Sequence, residues 1–406
     1  MQFHNQVLDN GLEIIAEVNK EAFSQSLGYF VKTGSRDESP EMAGVSHFLE
    51  HMMFKGTPNR SAVDVNRELD DLGSQSNAYT SEEQTVYYMS VLPENQNAAL
   101  DLLTDMMRPA LRDEDFQTER QVILEEIAMY DDQPPYGAME RAMEVYFREH
   151  PLARRVLGTR ETVAALDPES MRAYHEARYA PNNLTLVATG AVDFDALVQS
   201  VEKMTKHWKP SSSARSLRSP SIESEDVAMV HPPATQQYTL QYSPGPGYCD
   251  ERRYVTRILA SILGDDSGSR LFWELVDTGL AESAAVFTQE FEECGLICTF
   301  LACAPEQQEE NWEAIRNTLA AGKQNPITDR EMELAKNKIC AGMILGSERP
   351  SNRLFSVGNA WTFRRKYETI QAATKHYQAV KIEDVQEEFE KLSDRKQVTV
   401  TVGPEA

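Results

Sequence analysis

His47, Phe48, Leu49, Glu50 and His51 form an H-x-x-E-H run. It lies in AGVSHFLEHMMFKGT, with no Pro and no Gly from Val45 to Lys55, so a helix is expected there. On a helix, residues four apart stack on one face, so both imidazoles can reach one metal ion. Two imidazoles suit zinc, and a catalytic zinc takes three protein ligands with a fourth position open to water. Glu50 falls beside His51, where a carboxylate can take a proton from that water and pass it to a leaving amine. Phe48, Leu49, Met52, Met53 and Phe54 surround the pair with apolar side chains. Solvated histidines rarely need such a wall, whereas a metal site uses one to control water access.

Two histidines are one ligand short. The segment Thr118–Tyr130 (TERQVILEEIAMY) reads as a helix, with Val122, Ile123, Ile127 and Tyr130 roughly on an apolar stripe. Glu119 and Glu126, seven apart, share a face, and Glu125 points about 100° away from Glu126. Spacing alone leaves Glu125 and Glu126 both open as the third ligand.

With these motifs the chain resembles the pitrilysin family (M16) of zinc metallopeptidases, whose H-x-x-E-H inverts the commoner H-E-x-x-H. The likeness is to the short form that includes the mitochondrial processing peptidase β-subunit and bacterial homologues. It rests also on Leu8–Glu17 (an opening strand pair), Gly28–Glu38 (a second strand and turn), Gly73–Tyr88, His150–Thr162 and Tyr179–Gly190. The resemblance implies that Glu126, at 126 − 51 = 75 residues beyond the second His, is the third ligand of one Zn2+ per chain. It also implies that Glu50 is the catalytic base and that Glu119 is a further acidic residue of the catalytic site. Asn77-Ala78-Tyr79-Thr80 matches the family's N-A-x-T strand. An exposed edge there can pair with an extended peptide, with Asn77 and Ala78 as substrate-binding residues. Asn77 could instead satisfy a turn, since SQSN is turn-like. One departure stands out. Where many relatives place an Arg and, seven residues on, a Tyr to hold the substrate carbonyl, this chain has Leu275 and Glu282. Neither donates to an oxyanion at neutral pH.

The elements that must position these residues fill a chain of 406 residues, long enough for two or more domains. A Ser-rich, polar stretch over 209–225 reads as a linker between an N-terminal half, 1–208, and a C-terminal half, 226–406. The second half is expected to run strand Gln237–Tyr242, helices Arg252–Leu263 and Ser269–Asp277, and strands Ala284–Phe291 and Leu296–Ala302. Helices Glu309–Ala321 and Asp329–Leu345 and a closing strand Gln397–Val402 complete it. A similar order in both halves gives an α+β class: two homologous-looking α/β halves, each a sheet with helices packed on it. The resemblance adds two chains enclosing a chamber, as a heterodimer with a related subunit or a homodimer.

Net charge is −24, from 64 acidic and 40 basic residues. That argues against a nucleic-acid binder, which needs a basic patch, and against an anionic membrane surface; it allows attraction of basic peptides, and a peptide substrate is what the resemblance implies. No apolar run is long enough for a membrane span. The start has no basic n-region followed by an apolar h-region. A cytoplasmic location is therefore expected, or an organelle matrix if a presequence has been removed. The five Cys (249, 294, 298, 303 and 340) form no C-x-x-C, and three of them lie in a strand-like run, where Cys acts as a small hydrophobe. The alternative to a peptidase is a non-catalytic scaffold subunit. Such relatives usually carry a degraded motif, and this one is whole.

Overall fold

The computed structural model describes every residue but Ser213, Pro233, Glu405 and Ala406, and every other side chain except that of Pro134. The chain opens with β1 (Gln2–Val7), β2 (Glu13–Val18) and β3 (Gln25–Val31), followed by α1 (Val45–Met53) and α2 (Ala62–Asp71). A hairpin of β4 (Gln75–Thr80) and β5 (Thr85–Val91) leads into α3 (Gln96–Met106), α4 (Asp113–Asp131) and α5 (Pro134–Phe147). Then come α6 (Arg160–Ala165), α7 (Pro168–Arg178), β6 (Leu184–Gly190) and α8 (Phe194–Thr205). The later part holds β7 (Glu225–Val230), β8 (Gln237–Gly245), α9 (Arg253–Gly264), β9 (Ser283–Glu290) and β10 (Gly295–Cys303). It ends with α10 (Gln308–Ala320), α11 (Asp329–Gly346), α12 (Pro350–Arg364), α13 (Ile370–Ala379), α14 (Ile382–Glu390) and β11 (Val398–Gly403). Among the described residues no helix is long and apolar enough to cross a membrane.

Two compact α/β units result. The first comprises residues 1–127, 154–216 and 346–368, and the second comprises 128–153, 217–345 and 369–406. The chain thus passes between units inside the expected linker 209–225, of which Ser213 lies outside the described residues. Each unit also takes a helix from the other half of the sequence: α12 belongs to the first and α5 to the second. The first sheet runs β1-β2-β6-β3-β5-β4 and the second β7-β11-β8-β10-β9. With β1 set aside, the two orders correspond strand for strand. In each the only parallel pair joins an early strand to the last, β2 with β6 and β7 with β11.

Adjacent residues along the first sheet are buried together: Ile14 and Ile15, Tyr29 and Phe30, Val86 and Tyr87, Leu186 and Val187. Successive strand side chains point to opposite faces, so such runs mean that both faces are covered. One face carries Ile14, Tyr29, Tyr87 and Leu186 into the main core with α1, α3, α4 and α8. The other carries Ile15, Phe30, Val86 and Val187 against Leu354 and Val357 of α12. A Cβ on Gly358 would stand 2.2 Å from the Phe30 ring, so only glycine lets α12 lie this close to β3.

Several elements differ from expectation. The opening strand pair is β1 with β2, and most of Leu8–Leu12 is the turn between them, with Gly11 at positive φ. The helix expected over Ser269–Asp277 is present over 270–276, with Phe272–Val276 wound as a π-helix. Residues 350–390, for which the sequence suggested no element, hold α12, α13 and α14. Val122 is 44% exposed and not part of the apolar stripe, which Phe116, Ile123 and Ile127 form.

His175, on α7 in the first unit, is partly exposed but densely surrounded. It stacks on Tyr179 and donates Nε2–H to the Met107 carbonyl at 3.1 Å. Burial, with the nearby Arg108 charge, pulls its pKa down to about 3 from 6.5. A histidine held neutral by the fold contributes stability above its unfolded pKa, and loses it as pH falls toward the folded value. Between pH 6.5 and about 3 this group costs at most about 1.4 kcal/mol per pH unit. Parent and His175→Gln melting temperatures should therefore draw together from pH 7 to pH 5. Parallel melting curves over that range would show the charge on His175 to be irrelevant.

Candidate metal centre

The site starts from the way α1 is held. No side chain of the residue preceding the helix caps it. A carboxylate from further upstream does: Gly44 and Ser46 donate backbone N–H to Glu38 Oε2 and Oε1 at 2.8 and 2.7 Å. An anion at a helix N-terminus satisfies orphan donors and favours the dipole. Burial nevertheless pushes the Glu38 pKa up to about 8, against those hydrogen bonds and the Arg154 charge. Gly44 sits at φ +95°, where an added Cβ would meet the Leu157 carbonyl at 2.6 Å, so this turn requires glycine. Ser46 Oγ is held by Tyr174, which also reaches Thr33.

Val45, Phe48, Leu49, Met52 and Met53 are buried, which turns His47, Glu50 and His51 toward a common side. Phe48 stacks on Phe116 of α4, with ring centroids 4.5 Å apart and planes 22° from parallel. That contact sets α4 beside α1. One and three turns beyond Phe116, Glu119 and Glu126 face the histidines.

His47, His51 and Glu126 each offer a ligand atom, all within 4.8 Å of one another. Glu126 Oε2 lies 3.8 Å from His47 Nε2 and 3.6 Å from His51 Nε2. Atoms bound tetrahedrally to one zinc at ~2.1 Å stand roughly 3.4 Å apart, so the two distances from Glu126 need only a slight closing. Glu125, left open by spacing, is exposed, and among the described residues it belongs to no such cluster. Glu119 is buried and accepts from His51 Nδ1 at 2.9 Å, while Lys55 Nζ sits 2.5 Å from its other oxygen. This bond puts the proton on Nδ1 and turns the Nε2 lone pair toward Glu126, the arrangement that metal-ligating histidines use. His47 Nδ1 is buried with no hydrogen-bond partner among the described residues.

The charges fit a cation. Burial and the His51 charge hold His47 neutral, with its pKa down at about 3, so its lone pair is free. Burial raises Glu126 and Glu50, and each is raised further by a neighbouring carboxylate. Burial would raise Glu119 too, but His51 and Lys55 outweigh it and hold it ionised. Burial would lower His51, but the bond to Glu119 and the charges of Glu126, Glu119 and Glu50 raise it. Once His51 gives up its Nε2 proton to an incoming cation, two imidazole nitrogens and a carboxylate oxygen make a partly buried donor set suited to zinc.

Glu50 Oε2 accepts from Thr80 Oγ1 at 2.6 Å. Thr80 ends β4, the outer strand of its sheet. Asn77 and Ala78 lie on that strand rather than in a turn; the Asn77 carboxamide accepts from Ala78 N–H at 2.9 Å. The sequence assigned no role to Thr80, Lys55, Glu38 or Phe116. Thr80 had been noted only as part of N-A-x-T, and the other three act through contacts that no local pattern marks.

Comparison with known proteins agrees with this geometry. The family model described as "Insulinase (Peptidase family M16)" matches residues 13–160, and "Peptidase M16 inactive domain" matches 165–339. An uncharacterized zinc protease of Mycobacterium tuberculosis is 31% identical, over 98% of this chain and 92% of the relative. The uncharacterized zinc protease YmxG of Bacillus subtilis is 32% identical, over 93% of this chain and 92% of the relative. A protease from Helicobacter pylori has the same fold, with a TM-score of 0.89 at 21% identity over 99% of both chains.

Proposed function

The chain belongs to peptidase family M16, and from that premise we propose that it is an endopeptidase for unfolded peptides, working in a chamber closed by a second chain. It is a zinc-dependent peptidase with one zinc site. The observation that carries this reading is the convergence of His47, His51 and Glu126 within 4.8 Å. Zinc held there supplies Lewis acidity, which makes a water nucleophilic near neutral pH. Glu50 takes a proton from the attacking water and returns it to the leaving amine nitrogen. Glu119 orients His51 through Nδ1, and Lys55 keeps Glu119 in place. The outer edge of β4 offers main-chain hydrogen bonds to an extended peptide, with Asn77 and Ala78 in contact with it. Such pairing reads backbone rather than sequence, which suits a broad range of peptides.

The finer reading is of the short form, resembling the processing peptidase β-subunit and its bacterial homologues. Leu275 and Glu282, where relatives hold the substrate carbonyl, support a partner that brings the missing donors. Leu275 is buried in the core of the second unit, and Glu282 is exposed with its carboxylate bound by Gln236. The partner is a related subunit, with a second copy of this chain as the other possibility.

Metal analysis after dialysis tests the centre. The parent should retain one zinc per chain and His51→Ala should lose it, together with cleavage of a quenched peptide. A parent without zinc, or a His51→Ala variant with the parent's content, would refute the assignment. A stable monomer with full peptidase activity at micromolar concentration would sink the two-chain chamber.

A further inference from the structure

Thr80 and Glu50 come from different elements, yet they meet in a short hydrogen bond, 2.6 Å from Oγ1 to Oε2. A threonine hydroxyl has one proton to give. Among the described residues its only other partner within reach is Thr85 Oγ1 at 3.5 Å, too long to compete. Thr85 in turn gives its own proton to the Thr33 carbonyl at 3.0 Å. The Thr80 proton is thus committed to Glu50. Thr80 is itself fixed: it pairs with Thr85 across the hairpin, and the turn beyond is closed by Ser81 N–H donating to the Gln84 carbonyl at 2.8 Å.

The last torsion of a glutamate is soft, so an unheld carboxylate presents either oxygen over a broad range of angles. One short bond removes that freedom. We infer that Thr80 is a positioning residue for hydrolysis: it holds Glu50 at Oε2, so that Oε1 is the oxygen that receives the proton. The inference rests on Glu50 being the base. It also joins two parts of the site, because the strand that carries Asn77 and Ala78 is the strand whose last residue aims the base.

The test uses the purified protein, an internally quenched fluorogenic peptide, and the variants Thr80→Val and Thr80→Ser. Thr80→Val keeps the shape and removes the hydroxyl; it should lose roughly 10–100-fold in kcat, as loss of an orienting partner does. KM should stay within about twofold, because a group acting only on the transition state leaves ground-state binding alone. Zinc content should match the parent. Thr80→Ser should restore kcat to within about threefold of the parent, which loss of packing would not allow. In a Glu50→Gln background Thr80→Val should add no further loss. Crystal structures should show the Glu50 carboxylate turned away in Thr80→Val and in place in Thr80→Ser. Parental kcat in Thr80→Val, an unmoved Glu50, or a Thr80→Ser as impaired as Thr80→Val would overturn the inference while Glu50→Gln remained inactive. A Glu50→Gln as active as the parent would be a different failure: the base assignment itself falls, and the role of Thr80 with it.

Discussion

Glu50→Gln is expected to lower kcat by roughly 10²–10⁴-fold while the protein keeps its zinc. The amide has nearly the shape of the carboxylate, and its oxygen can still accept from Thr80, so the surroundings need not rearrange. What it cannot do is take a proton near neutral pH. His47, His51 and Glu126 are untouched by the change, so the metal content should equal the parent's. KM should also change little, since Glu50 acts on the water rather than on the peptide; an equal fall in kcat and kcat/KM is the signature of a group used only in the transition state. Cleavage of a quenched peptide, followed beside elemental analysis of the same preparation, decides the matter. A variant that cleaves within a few-fold of the parent would remove Glu50 from its role. A variant that loses zinc would instead make it part of the metal's support.

The local half of this site was legible in the sequence because its periodicity is local. His47 and His51 are one turn apart, and the apolar residues between and after them fix which side of α1 is buried. The choice between Glu125 and Glu126 was not legible from spacing. It depends on how α4 is rotated, and Phe116 stacking on Phe48 is part of what sets that rotation. Nothing near Glu126 reports that contact. Thr80 is a similar case, since a threonine at a strand end carries no mark of the carboxylate thirty positions earlier. In the fold, strands buried on both faces stood out as apolar runs. The helices over 350–390 did not, because the first of them is amphipathic in an unusual sense. α12 buries Leu354 and Val357 beside a charged Arg353, and its Gly358 looks like a helix breaker until Phe30 is seen against it. The sequence order also hid the exchange of α5 and α12 between the units, which only long-range contacts can reveal.

Arg353 leads to the second large effect. Its guanidinium forks onto Glu17 of β2, Nε to Oε1 at 2.7 Å and Nη2 to Oε2 at 2.5 Å, and Tyr367 adds a hydroxyl to Oε2 at 2.7 Å. Both partners are within a few per cent of full burial, at 5% and 2% side-chain exposure. Glu13, four positions toward the strand's start on the same face, takes Trp361 Nε1 at 2.9 Å and is also paired with Arg365. Between the two carboxylates lies Ile15, packed with Leu354 and Val357. So α12 is fastened to the sheet by an apolar strip with an ion pair beyond it at either end. Arg353→Met keeps much of the volume but leaves Glu17 buried without its cation, and should destabilise the first unit by about 3–5 kcal/mol. The pair itself is another matter. Removing both charges costs far less than removing one, because the penalty comes from the uncompensated carboxylate and not from the lost attraction. Arg353→Met with Glu17→Gln should therefore recover most of the loss. Denaturant midpoints for the two single variants and the double give the coupling directly. Additive losses would mean that α12 is held by its apolar strip alone and that the buried fork contributes no net coupling.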